Sequence, residues 1–232
     1  MSQTPLANRT AVTFNELLVT AIVSMLILAW TASLAGLASD PLAWLILRAT
    51  GTLAYLALAI SASLGALLSS QYAPAWLSRA AQFGWHGLLS GFALAVSLIH
   101  GTFLLVDGKY RQPLEALFVP GMSSFKPLEV GLGTLCLYML LLVYISSVVK
   151  KRLSARVWRG LHLLSYPAFI LATLHGRWTG SDGLTLLYSA ASLAVLTTFA
   201  LRIVSTLKHP SVLGQRTPIY PTNPGPATTV EE

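Results

Sequence analysis

"RGLHLLSYPAFILATLHG", residues 159–176, places His162 near one end of an almost wholly apolar run and His175 near the other, with Pro167 between them. A histidine inside lipid is costly unless its ring nitrogens find partners. The run belongs to a chain of 232 residues that is 54% hydrophobic and only 10% charged, where soluble domains carry about 25% charge. Working outward from it, six apolar stretches emerge, near 16–38, 46–68, 84–106, 129–149, 157–178 and 183–205. Each has about the 20 residues that a helix needs to cross a hydrocarbon core of ~30 Å. Unbroken runs of this kind predict helices, because a lipid-embedded backbone must satisfy itself internally. The expected fold class is therefore an all-α membrane bundle of six transmembrane helices.

The formal charge of +7 invites a nucleic-acid reading, but its distribution argues for topology instead. With the N-terminus inside, ten basic residues fall on the cytoplasmic side: Arg9, Arg79, Lys150, Lys151, Arg152, Arg156, Arg159, Arg202, Lys208 and Arg216. Five fall outside: Arg48, Lys109, Arg111, Lys126 and Arg177. The positive-inside rule accounts for that asymmetry without nucleic acid and puts both termini in the cytoplasm. The first stretch could be a cleaved signal, since the small residues of "SLAGLAS" follow it; its long apolar run, preceded only by Arg9, favours a retained helix. The expected organisation is an N-terminal cytoplasmic segment 1–13, one membrane domain 14–206, and a disordered proline-rich cytoplasmic tail 207–232. The outer connection 107–129 carries turn signals at Asp107-Gly108 and Pro120-Gly121 around the short piece "PLEALFV". Cys136 stands alone, so no disulfide forms within the chain, and it reads as a small apolar filler.

Of five histidines, His209 sits at the start of the tail and reads as solvated; the other four form a pattern. His86 and His100 bracket the third span, about 21 Å apart along a helix. His162 and His175 bracket the fifth span with one residue fewer between them, or about 19.5 Å. Both spans run from inside to outside, so His86 and His162 lie near the cytoplasmic face and His100 and His175 near the outer one. One buried histidine alone would read as polar glue between helices. Two pairs at matched depths suit two haems stacked across the membrane, each iron held by two imidazoles and closed to oxygen. Gly87, Gly91, Gly101, Gly160 and Gly176 beside these histidines offer room for a flat macrocycle, although glycine also serves plain helix packing. One detail resists. The interval on the third span returns within about 40° of the starting face, whereas the shorter one on the fifth falls about 140° away; a kink or tightened turn at Pro167 is what could restore the register.

The double spacing, with "WRGLHLLSYPAFILATLHG" around the second pair, resembles the ferric reductase-like transmembrane domain over residues 45–205. That family includes ferric reductases, NADPH oxidases and the membrane subunit of periplasmic methionine sulfoxide reductase. The resemblance implies two b haems, the inner on His86 and His162 and the outer on His100 and His175. Haem propionates are anions, and Arg79 and Arg159 at the inner level and Arg177 at the outer are the cations expected to bind them; Arg79 and Arg159 equally suit topology and headgroups. Ferric reductases and NADPH oxidases carry a flavin and NADPH domain after the last span, whereas here only a proline-rich tail is expected after it. The donor is thus expected to be a cytosolic flavin reductase, supplying the flavin, or quinol. The acceptor would lie outside: ferric ion, oxygen or a periplasmic redox protein. The resemblance makes the chain the membrane subunit of an oxidoreductase, a multi-pass protein of a bacterial inner membrane. The competing class is a non-redox membrane protein, a proton path or assembly scaffold, with the histidines as polar relays. Proton paths usually hold intramembrane carboxylates, and here Glu16, Asp107 and Glu129 lie only at span edges.

Overall fold

The computed structural model describes residues 14–39, 41–72, 76–180 and 183–208. The segment 1–13 and the tail from His209 onward lie outside these residues. Eight α-helices are formed among them: α1 (Phe14–Leu34), α2 (Pro41–Leu68), α3 (Arg79–Phe103), α4 (Glu115–Phe118), α5 (Pro127–Val148), α6 (Ala155–Leu163), α7 (Ser165–Thr179) and α8 (Thr185–Lys208). A 3-10 helix, Lys150–Arg152, turns the chain between α5 and α6.

Local chemistry sets the ends. Gly36, at φ +69°, closes α1, and the Leu37 amide reaches back 2.9 Å to the Ala32 carbonyl; only glycine enters that left-handed position at no cost. Ser78 caps α3 by accepting from the Ala81 amide, and Ser154 caps α6 by accepting from Val157. Pro41 and Pro127 begin α2 and α5, where an amide would have had no intrahelical partner.

Among the described residues, four helices, α2, α3, α5 and α8, are long and apolar enough to cross a membrane. Large apolar side chains stand exposed along them and along α1, among them Met25, Leu28, Leu53, Phe83, Ile145 and Leu193. Continuous apolar surface of this extent suits lipid and not water. α2 is the centre of the bundle and packs on α3, α7 and α8, while α5 packs on α7 and α6. Its alanines make the close approach possible: Ala57, Ala59 and Ala62 meet Ala93 of α3, Phe169 of α7 and Val195 of α8 in one buried cluster. A second cluster, with Ala43, Leu47, Phe103, Leu104 and Val130, fills the end from which the 107–129 connection leaves.

The expected fifth span, 157–178, is two helices and not one. Pro167 has no amide to give and its ring crowds the Leu163 carbonyl four residues back. The chain tightens at Leu164, which keeps right-handed helical dihedrals of φ −61° and ψ −14° while its amide closes a shorter turn on Leu161 at 3.1 Å before α7 begins. The break is consequential, since His162 lies before it and His175 after it.

Candidate functional site

His86, His100, His162 and His175 meet in two pairs. His86 of α3 and His162 of α6 face each other with ring centres 5.9 Å apart and planes at 74°. His100 of α3 and His175 of α7 stand 6.0 Å apart at 84°. The tightened turn at Leu164 lies between these two ligands, and the shorter interval brings both rings to α3 where an ideal helix would have turned one about 140° away. The spacing has chemical content: two metal–nitrogen bonds of ~2 Å, laid end to end between two imidazoles, put the ring centres roughly 6 Å apart.

Hydrogen bonds fix which ring nitrogen is available. His100 Nδ1 lies 2.7 Å from the Leu47 carbonyl, His175 Nδ1 2.7 Å from the Glu129 carbonyl, and His86 Nδ1 2.9 Å from the Ser61 carbonyl. A carbonyl only accepts, so each Nδ1 carries the proton and each Nε2 keeps its lone pair for a metal. His162 differs, its Nδ1 having the Ser147 hydroxyl at 3.4 Å.

These carbonyls are reachable because of glycines that lie outside the sequence expectations. A methyl at Gly51 would fall 2.8 Å from His100 Cε1, one at Gly65 2.9 Å from His86 Cε1, and one at Gly133 2.8 Å from His175 Cε1. Each glycine stands four residues after the carbonyl that the same imidazole uses. Side chains lean toward the helix N-terminus, so a Cβ at that place would cover the preceding turn's carbonyl. The glycines beside the ligands in sequence meet no imidazole: Gly87 and Gly160 look onto open space, Gly91 onto Tyr144, Gly101 onto Leu117 and Gly176 onto Tyr188. Chain neighbours of a ligand point about 100° away on a helix, so space for an imidazole is made across the interface, on α2 and α5.

Around the second pair lies a cavity of about 560 Å³ that reaches His100, His175, Gly51, Gly133, Arg177 and Arg48. The expected cation Arg177 is therefore on its wall, joined by Arg48, which charge counting places only on the outer side. Arg159 is exposed on α6, three residues before His162. Arg79 is committed elsewhere: its guanidinium donates to the Leu68 and Ser70 carbonyls at 2.6 and 2.7 Å, closing the end of α2. Arg79→Ala should accordingly lower stability by on the order of 1 kcal/mol in thermal unfolding and leave any haem spectrum unchanged. A lost spectrum at unaltered stability would return Arg79 to the cofactor.

A haem fits this donor set. Each pair would offer a haem iron two imidazole nitrogens, His86 with His162 and His100 with His175, and the group would supply one-electron exchange there. No third histidine, cysteine or carboxylate gathers with either pair into a metal-binding group among the described residues.

Comparison with known proteins bears on the same helices. The sequence model of the family described as "Ferric reductase like transmembrane component" matches residues 50–173, a stretch that holds His86, His100 and His162 and stops two residues short of His175. No curated protein and no solved structure matches the chain.

Proposed function

Since the chain belongs to the ferric reductase-like transmembrane family, we propose that it passes electrons across the bilayer through two b haems. The observation that carries this reading is the pair of facing imidazole couples, 5.9 and 6.0 Å apart, joined by the same helix α3 at two depths. His86 and His162 hold the inner iron, and His100 and His175 the outer. Haem with two imidazole ligands supplies one-electron exchange at an iron without an open site. The chain orients the rings through the Leu47, Ser61 and Glu129 carbonyls and keeps water out with the apolar walls of α2, α5 and α7. Arg177 and Arg48 offer cations to the outer propionates, and Arg159 to the inner ones.

In this reading α1, α2, α3, α5, the broken α6–α7 pair and α8 are six crossings of one membrane domain over 14–206. Both termini and the basic 150–159 stretch face the cytoplasm. That polarity brings electrons in from a cytosolic flavin reductase or from quinol, and out to ferric ion, oxygen or a periplasmic redox partner. The site belongs to a multi-pass subunit of a bacterial inner membrane.

The protein expressed with ample haem should purify red, with a low-spin b-type spectrum and about two haems per chain. Haem extraction against protein concentration measures the ratio. A colourless protein would sink the proposal, and a ratio near one would remove one of the two sites.

A further inference from the structure

Four receiving positions face the four histidines, and they repeat along the chain. On α2, the interval from Leu47 with Gly51 to Ser61 with Gly65 equals that from His86 to His100. On α5, Glu129 with Gly133 recurs at the same interval as Val143 with Ser147. Three of the four present a carbonyl uncovered by glycine. At the fourth, serine stands where glycine would be. The Ser147 hydroxyl donates to the Val143 carbonyl at 2.9 Å and the Ser146 hydroxyl to the same oxygen at 2.8 Å, so together they take up the acceptor that an imidazole would otherwise use. With its one proton committed, Ser147 Oγ can only accept from His162 Nδ1. The 3.4 Å separation exceeds the usual range of about 2.7–3.2 Å, so the bond is weak. His162 is steadied instead by Trp158, stacked on it at 5.1 Å, with the Lys150 ammonium 3.9 Å from the centre of the Trp158 ring.

We propose that Ser147 is a positioning residue that grades the two sites, giving the inner iron the higher reduction potential. This rests on the haem reading above. A carbonyl that accepts the Nδ1 proton makes the ligating nitrogen more basic and favours ferric over ferrous iron. The outer pair has two such bonds of 2.7 Å. At the inner pair His86 has one of 2.9 Å, with the Ser61 hydroxyl also 3.0 Å from the same Nδ1, while His162 has only the weak contact to Ser147. With haem bound at both pairs, the site held by His86 and His162 would thus be the one reduced first, and the site held by His100 and His175 the one that gives its electron up more readily to an outer acceptor.

The test is a redox titration of the full chain in lipid nanodiscs, with dithionite as reductant, followed in the visible band and by low-spin electron paramagnetic resonance. The unaltered protein should show two midpoints. Ser147→Gly, made together with Ser146→Ala so that neither hydroxyl holds the Val143 carbonyl, uncovers that acceptor and should lower the upper midpoint toward the other. Ser147→Ala keeps a methyl over that carbonyl and removes the hydroxyl, and should raise it. The lower midpoint should stay in place in both. A merely structural role would move the two variants the same way; that result, an unmoved upper midpoint, or a shift confined to the lower one overturns the proposal. Loss of haem from both variants overturns it as well, because so weak a contact is not a condition of binding. Should one variant fail to fold, the sign of the shift in the other decides. An unaltered protein without haem is a separate result, and it would refute the function proposed above.

Discussion

His175→Leu and His100→Leu should each leave a protein with about half its haem, and the haem lost should be the same one. These two rings face each other at 6.0 Å, on α7 and α3, and either alone leaves an iron one axial ligand short. His86→Leu and His162→Leu should remove the other haem, since their rings form the second couple. Transfer should divide accordingly. Without the outer site a cytosolic donor still reduces the remaining haem, but an outer acceptor receives nothing. Without the inner site, reduction from the cytoplasmic side fails at the start. Haem-to-protein ratio and stopped-flow reduction read both effects. If His100→Leu and His162→Leu abolish one and the same signal, the pairing is crossed and the assignment fails. Lost haem also leaves a cavity between helices, so each variant should unfold at a lower temperature than the parent.

The next largest effect should come from residues with no side chain at all. Gly133→Ala sets a methyl 2.8 Å from both Cε1 and Nδ1 of His175, and Gly51→Ala sets one 2.8 Å from Cε1 and 2.9 Å from Nδ1 of His100. Those are the ring edges that carry the bonds to Glu129 and Leu47. Neither ring can yield by a few tenths of an ångström and keep its carbonyl, and overpacking of a built site costs about 1–3 kcal/mol even where the backbone can shift. Each variant should lose the outer haem, or hold it with an altered low-spin signal, while the inner signal persists. Gly65→Ala should do the same to the inner haem. Gly84→Ala is the control: it lies about 200° around α3 from His86, with nothing within 4 Å of the added methyl, and should retain full haem. Undiminished outer haem with an unchanged signal in both Gly51→Ala and Gly133→Ala would show that these glycines are not what admits the rings.

Much of this arrangement was legible in the sequence, and the parts that were not have identifiable reasons. The spans announce themselves by hydropathy, and a histidine in lipid is rare enough for its spacing to carry weight. His86 and His100 share a face by helical arithmetic alone, and their facing partners follow from two helices running the same way. The shorter interval between His162 and His175 pointed to a fault near Pro167. Its place at Leu164 was hidden, because the relief depends on which carbonyl the proline ring crowds. The receiving glycines were hidden for a different reason: adjacency in sequence points to the helices that hold the histidines, whereas clearance is provided by the helix opposite. A signal was present, for the interval from Gly51 to Gly65 is the same as that from His86 to His100. Arg48 stayed out of view because charge counting assigns a residue to a side of the membrane and says nothing of which cavity it borders.

The antiparallel match of α2 to α3 has a consequence for how such a chain can vary. Gly51 meets His100 and Gly65 meets His86, so the two helices are read against each other in opposite directions like the graduations of a vernier. One residue inserted in α2 between the glycines would advance one receiver by about 1.5 Å and swing it by about 100°, and only one histidine could keep its seat. The same residue inserted between α2 and α3, where the chain runs from Ser69 to Ser78, would disturb neither. A change of length should thus be tolerated in the connections and not between the two glycines, whose interval matters as much as the histidines' own.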